Sequence, residues 1–133
     1  MTNERQRLKA LIERDIMEAR NVCRNIPWCL RLTRAEEELG NWFLQAYRKE
    51  ITIDELEEKF SLLESCLADY DETDMLIDDC IGFMGYDLRH DGPVDWNGLL
   101  RYGQILLGQE EIKYYDSHIP GIDLVIYYKK RKK

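Results

Sequence analysis

Apolar residues recur at three- and four-residue steps along most of the chain. Near the N-terminus, Leu8, Ile12 and Ile16 follow this spacing, which places them on one face of a helix. The pattern breaks at Ile26, because the proline that follows disfavours helical geometry there. The same period resumes several times and predicts five helices, at about residues 3–25, 34–49, 53–69, 74–85 and 95–107.

Capping signals mark the predicted helix ends. Two Thr-x-x-Glu sequences predict capping boxes, in which the threonine and glutamate side chains bind backbone N–H groups of the first turn; they are Thr33 with Glu36 and Thr52 with Glu55. Thr73 and Asp95 are predicted as further N-caps. Gly108 is predicted to close the fifth helix, since glycine adopts the left-handed conformation most readily.

Beyond Gly108 the apolar period changes from about four to two. The runs "EIKYYDS" and "IDLVIYYK", separated by "HIPG", predict a β-hairpin at about residues 111–128, followed by a basic tail at 129–133. Two strands alone are marginal in water, so this hairpin is expected to pack on the helices, extend across a dimer or pair with another chain. The predicted fold is α+β and mainly α, with a small helical bundle and a C-terminal hairpin forming a single domain, 1–133.

Acidic residues are concentrated in the middle of the chain. The net charge is −7, and residues 50–80 hold twelve acidic side chains against one basic side chain, Lys59. Within them, "DYDETDMLIDDC" at residues 69–80 has six carboxylates in twelve positions, while the last five residues, "KKRKK", are all basic. Such separation favours an oppositely charged partner.

The acidic stretch lacks the features of a metal or catalytic site. Aligned on Asp69, an EF-hand loop would need a glycine at position 74 and a bidentate glutamate at position 80, where Asp74 and Cys80 stand. A helix beginning at Thr73 would place Asp74 and Asp78 on its polar side, where water would keep both carboxylates ionised. Their shared ionisation argues against an acid–base pair. We therefore expect no metal site, no cofactor and no catalytic residue.

The cysteines and histidines form no recognisable catalytic motif. The four cysteines lie within or beside apolar helical patterns, which is typical of reduced core thiols; they are Cys23, Cys29, Cys66 and Cys80. Both histidines, His90 and His118, fall in predicted turns. An enzyme would need a deep cleft that converges on His90 or Cys29.

Two interpretations of the central acids carry equal weight. In one they are a solvated face, in which Asp71, Glu72 and Asp74 stabilise a helix N-terminus through the helix dipole. In the other they bind a basic surface on a partner protein. The second interpretation predicts a partner-binding set made of Glu57, Glu58, Glu64, Asp69, Asp71, Glu72, Asp74, Asp78 and Asp79.

The favoured functional hypothesis is a non-enzymatic acidic protein of the inhibitor, immunity or anti-defence type. Its partner would be a nuclease or another nucleic-acid-handling protein; small acidic immunity proteins and phage-encoded inhibitors of defence nucleases resemble it in kind rather than in sequence. One alternative is an assembly module that associates, as a homodimer or with a partner, through the hairpin edge. Another is a small enzyme with an unrecognised site.

The cellular location and the direct binding of membranes or nucleic acid can be predicted from the distribution of apolar and charged residues. A cytoplasmic location and no membrane contact are expected, because no window is apolar enough to span a bilayer and the start of the chain lacks the apolar region of a secretory signal. Direct nucleic-acid binding is expected only through residues 129–133, since the net charge repels a polyanion elsewhere.

Overall fold

The computed structural model describes residues 3–22, 32–70, 74–89 and 92–108, and this part of the chain is mainly helical. Its elements are α1 (Glu4–Val22), α2 (Thr33–Tyr47), α3 (Ile53–Leu67), α4 (Met75–Gly82), a π-helical segment (Phe83–Asp87) and α5 (Trp96–Leu106). All five predicted helices are confirmed. The hairpin predicted at 111–128 lies outside the described residues, so the strand part of the α+β prediction and the single-domain assignment stay predictions. Also outside the described residues are Cys23, Cys29 and both histidines.

The helices bury the residues that the apolar period selected. Leu8, Ile12 and Ile16 of α1 lie in the core, and so do Leu56 and Leu63 of α3. An aromatic cluster connects α2, the π-helical segment and α5. The rings of Phe43, Phe83 and Tyr102 lie 4.8 to 6.4 Å from one another, centroid to centroid. The apolar spacing of the second helix also predicts that Tyr47 is buried, and this is wrong, since Tyr47 is exposed at the end of α2.

α2 and α5 form the most extensive helix pair of the described part. Gly40 lies against Leu106 and Leu107, and Gly103 lies against Leu44, so the two helices run antiparallel. A Cβ atom on Gly103 would lie 2.6 Å from Leu44 Cδ2, closer than carbon atoms pack. The small residues therefore allow the backbones to approach, while α1 packs separately on α2 and α3.

Some predicted caps are confirmed and others are wrong. Thr52 and Glu55 form the predicted capping box, with side-chain to backbone N–H distances of 3.0 and 2.8 Å. Asp95 caps α5 through Gly98 N–H, and Gly108 has a φ of 74°. The predicted box of Thr33 with Glu36 is wrong, since α2 begins at Thr33 and its N-cap position, Leu32, has no side-chain cap.

The first turn of α2 is capped instead by a carboxylate from α1. The N–H groups of Arg34 and Ala35 donate to Asp15 Oδ1 and Oδ2 at 3.0 and 2.9 Å, and Asp15 is 1% exposed. The Arg34 guanidinium lies 3.3 Å from Asp15 Oδ1 and also binds Glu18. A side chain far away in sequence thus satisfies donors that a local cap usually serves.

Asp15 and Asp69 are expected to affect stability with opposite dependence on pH. Burial raises the pKa of the Asp15 carboxyl above its ordinary value of 3.8, against the lowering effect of its hydrogen bonds from Ala35 and Arg34. A hydrogen bond from Lys9 lowers the pKa of Asp69. Relative to Asp15→Asn, the native protein should gain stability as pH falls through the raised pKa, because the folded state then binds more protons than the unfolded state.

Relative to Asp69→Asn, the native protein should lose stability as pH falls below the ordinary carboxyl pKa, since this folded-state pKa is depressed. The measurement is the free energy of unfolding by urea between about pH 7 and pH 3 for the three proteins, a range that spans ordinary carboxyl pKa values. Parallel pH profiles of native protein and Asp15→Asn would show that the Asp15 pKa is not raised.

Candidate partner-binding groove on the acidic helices

A groove separates α3 from α4 and the π-helical segment. Arg89, just after the π-helical segment, contacts Asp54 and Glu57 at the start of α3. Because only a short connection separates the end of α3 from the start of α4, the two helical stretches run antiparallel. The groove has a volume of about 470 Å³. On the α3 side it is lined by Glu57, Phe60, Ser61 and Glu64. On the opposite side it is lined by Ile81, Met84, Gly85 and Tyr86.

The two ends of the groove differ in charge balance. Arg89 Nε and Nη2 donate to both carboxylate oxygens of Glu57, at 3.0 and 3.2 Å, and Nη2 also binds Asp54 at 2.9 Å. At the other end, the Glu64 carboxylate makes no ion pair or hydrogen bond within the described ranges. The Glu57 carboxylate is therefore paired with the protein's own guanidinium, whereas the Glu64 carboxylate has no cation beside it in the described part of the chain.

Asp78 extends this negative end onto α4. It is exposed and precedes Ile81 of the groove wall by three residues, which places both on one face of the helix. Partial desolvation raises the pKa of Asp78, and the nearby carboxylates of Asp74 and Asp79 raise it further. The Asp78 carboxylate thus lies among like charges, with no basic side chain paired to it in the described part of the chain.

Asp74 is not part of the exposed face. The prediction that Thr73 caps the helix and that Asp74 lies on its polar side is wrong, because Asp74 is itself the N-cap and is 3% exposed. Its Oδ1 accepts from Ile77 N–H at 3.0 Å, and its Oδ2 accepts from Leu32 N–H at 2.7 Å. Asp74 therefore starts α4 and ties it to the residue before α2.

Asp69 is paired rather than free for a partner. Lys9 Nζ lies 2.8 Å from Asp69 Oδ2, and Arg5 Nη2 lies 3.7 Å from the same atom. Both cations belong to α1, so charges that are separated in the sequence are mixed in space. An exposed pair of this kind contributes little to stability, because water screens it.

The remaining predicted residues divide into three groups. Glu58 is exposed on α3 and has no ion pair among the described residues. Asp79 is exposed on α4, close enough to Asp78 to raise its pKa. Asp71 and Glu72 lie outside the described residues. Of the nine predicted acids, the structure therefore leaves Glu58, Asp78 and Asp79 exposed on α3 and α4, and Glu64 partly exposed in the groove wall.

The groove floor was missed by sequence reasoning. Phe60 is buried, and Ile81 and Met84 are partly buried against the core, while Tyr86 is 79% exposed. The hydrogen bond from Leu88 N–H to Phe83 O, at 2.9 Å, spans five residues and defines the π-helical turn. Such turns are rare and occur often at functional sites, but no local sequence signal predicts them.

The described cysteines are structural. Cys66 and Cys80 are buried free thiols, which confirms their interpretation as core residues. Burial raises the pKa of both thiols, and for Cys80 the carboxylates of Asp74, Asp79 and Glu36 add to the effect. A thiol held protonated is a poor nucleophile.

A second groove, of about 500 Å³, lies on the other side of the π-helical segment. It is lined by Phe83, Asp87, Asp95, Asn97, Gly98, Arg101 and Tyr102, and neither groove has a histidine or a cysteine among its described lining residues. Among the described residues, no group of three or more His, Cys, Asp or Glu side chains could hold a metal ion. No described helix is long and apolar enough to cross a lipid bilayer.

Comparisons of the chain with protein-family models, with curated proteins and with solved structures found no match.

Proposed function

We propose that this protein binds a basic surface of another protein through α3 and α4 and acts by occupying that surface, without catalysis. The observation that carries the proposal is the pair of carboxylates of Glu64, which lines the groove, and Asp78, neither of which has a basic partner among the described residues. Carboxylates crowded without basic partners repel one another, and a cationic partner relieves that repulsion. Partial burial raises the pKa of Asp78, and repulsion from Asp74 and Asp79 adds to the rise.

The charge of the acidic helices supports one class of partner. Proteins that handle nucleic acid present basic surfaces to phosphates, and an acidic face can occupy the same surface. We therefore propose an inhibitor or immunity-type protein whose partner is a nuclease or another nucleic-acid-handling protein. The alternatives of assembly through the hairpin edge and of an enzyme using His90 or Cys29 depend on residues outside the described ranges, and they stay predictions.

Glu64→Lys is expected to weaken partner binding by about tenfold or more, equivalent to about 1.4 kcal/mol, because it places a cation opposite a basic surface. The matched control is Glu50→Lys, which changes the net charge equally on an exposed residue away from the groove. The partner would be captured from a lysate of the source organism at low and moderate salt, purified, and titrated against all three proteins by calorimetry.

The proposal requires three results together. The captured partner must be basic, its affinity must fall with salt, and Glu64→Lys must weaken binding much more than Glu50→Lys. Affinity that is independent of salt, or equal losses in the two variants, would contradict it.

A further inference from the structure

The groove between α3 and the π-helical segment has unfilled space at its centre, in addition to carboxylates at its ends. Gly85 lines it, and a Cβ atom built on Gly85 would meet nothing within 4 Å. Phe60, Ile81 and Met84 supply an apolar floor at the same place. Methionine and tyrosine are common at protein interfaces, and the flexible methionine side chain adapts to different apolar partners.

The dimensions suit one helix. Glu57 and Glu64 are seven residues apart on α3, which corresponds to about 10 Å along the helix axis, or about two turns. An amphipathic helix binds a groove of this kind through apolar side chains spaced by three, four and seven residues. An open trough between two helices suits such an occupant better than a small molecule, which needs enclosure on most sides.

The charge difference between the ends gives the occupant a direction. Arg89 already pairs with both oxygens of the Glu57 carboxylate, so a second cation gains less there than beside an unpaired carboxylate. Glu64 and Asp78, at the opposite end, have no basic partner in the described part of the chain. The cationic side chains of an occupant therefore belong at the Glu64 end and its apolar side chains over Gly85.

We propose that the groove between α3 and the π-helical segment binds a short basic amphipathic helix of a partner protein, with its apolar stripe over Gly85 and its cations beside Glu64. This inference rests on the proposed function and names the structural class of the partner segment. It predicts that shape, in addition to charge, selects the ligand.

The test uses two labelled synthetic peptides of about 14 residues, or about four helical turns, in fluorescence anisotropy titrations of the full chain. One peptide has leucines on a single helical face and lysines elsewhere, and the other has the same composition in scrambled order. The amphipathic peptide is expected to bind about tenfold more tightly than the scrambled one. Equal binding of the two peptides would overturn the inference.

Gly85→Leu is the groove-filling variant, and Gly82→Leu is its matched control. A Cβ atom on either glycine meets nothing within 4 Å, but only Gly85 lines the groove. Gly85→Leu is expected to weaken binding of the amphipathic peptide by about tenfold, and Gly82→Leu by less than about twofold, with the helix content of both unchanged by circular dichroism. Equal effects of the two variants would overturn the inference.

Carboxylate variants separate the two proposals. Glu64→Gln should weaken peptide binding more than Glu57→Gln, because Glu57 is already paired with Arg89. Dependence on Glu64 without dependence on Gly85 would overturn the groove inference and leave the proposed function in place. If neither Glu64→Gln nor Gly85→Leu weakens peptide binding, both proposals fail.

The chain's own basic run is the competing occupant. Changing Lys129, Lys130, Arg131, Lys132 and Lys133 to serine should leave the affinity for the amphipathic peptide within about twofold if a partner helix is the ligand. Tighter peptide binding by this variant would show that residues 129–133 compete for the groove and would overturn the proposal. Self-association of the native chain that depends on Gly85, measured by analytical ultracentrifugation, would assign the groove to a second copy instead and would also overturn it.

Discussion

Asp74→Ala is expected to lower the free energy of unfolding by about 3 kcal/mol. The substitution leaves two buried N–H groups, those of Leu32 and Ile77, without their acceptor. Each buried donor left unsatisfied costs about 1–3 kcal/mol, and the lost N-cap is part of the same effect. The measurement is equilibrium unfolding in urea followed by far-ultraviolet circular dichroism.

Asp95→Ala is the matched control for this prediction. Asp95 is also an aspartate N-cap, but it is exposed and its side chain accepts from one backbone donor, Gly98 N–H. Its loss should cost about 1 kcal/mol, since water can replace the cap. Equal losses for the two variants would show that the link between Asp74 and Leu32 contributes nothing.

The role of Asp74 also determines how binding experiments should be designed. A variant that reverses the charge of Asp74 would place a cation in a buried site built to accept two hydrogen bonds, and it would unfold α4 before it tested binding. Loss of partner binding in such a variant would say nothing about the acidic face. Glu64 and Asp78 are the suitable positions, because both are on the surface side of their helices.

Phe83→Ala is expected to destabilise the protein by about 3–5 kcal/mol, the usual cost of removing a buried phenylalanine side chain. Phe83 is 2% exposed and packs at 5.9 Å from Phe43 and 4.8 Å from Tyr102, centroid to centroid. It therefore connects the π-helical segment to both α2 and α5. Urea unfolding of the variant measures the effect.

Tyr86→Ala serves as the control in the same segment. Tyr86 is also an aromatic residue of the π-helical turn, but it is 79% exposed, and its removal should change the free energy of unfolding by less than about 0.5 kcal/mol. Similar losses for Phe83→Ala and Tyr86→Ala would contradict the assignment of Phe83 to the core. A stable Tyr86→Ala protein would also be usable in the peptide titrations.

The amino-acid sequence by itself determined the helices and those caps that form within one turn. A 3.6-residue period selects the buried face of each helix, so Leu8, Ile12 and Ile16 could be assigned to the core without coordinates. Thr52 with Glu55 and Asp95 with Gly98 are three residues apart, and their hydrogen bonds form wherever a helix begins. Local spacing is sufficient for such contacts.

Only the tertiary structure decided which acids are exposed and where the groove lies. Asp15 and Asp74 cap or tie the start of α2 from 20 and 42 residues away, and Lys9 neutralises Asp69 from 60 residues away. The π-helical turn depends on packing around Phe83, and the groove depends on the separation of α3 from α4. These features could not be derived from the sequence, because a residue's exposure and partners depend on helices that are distant in the chain and meet only in the folded state.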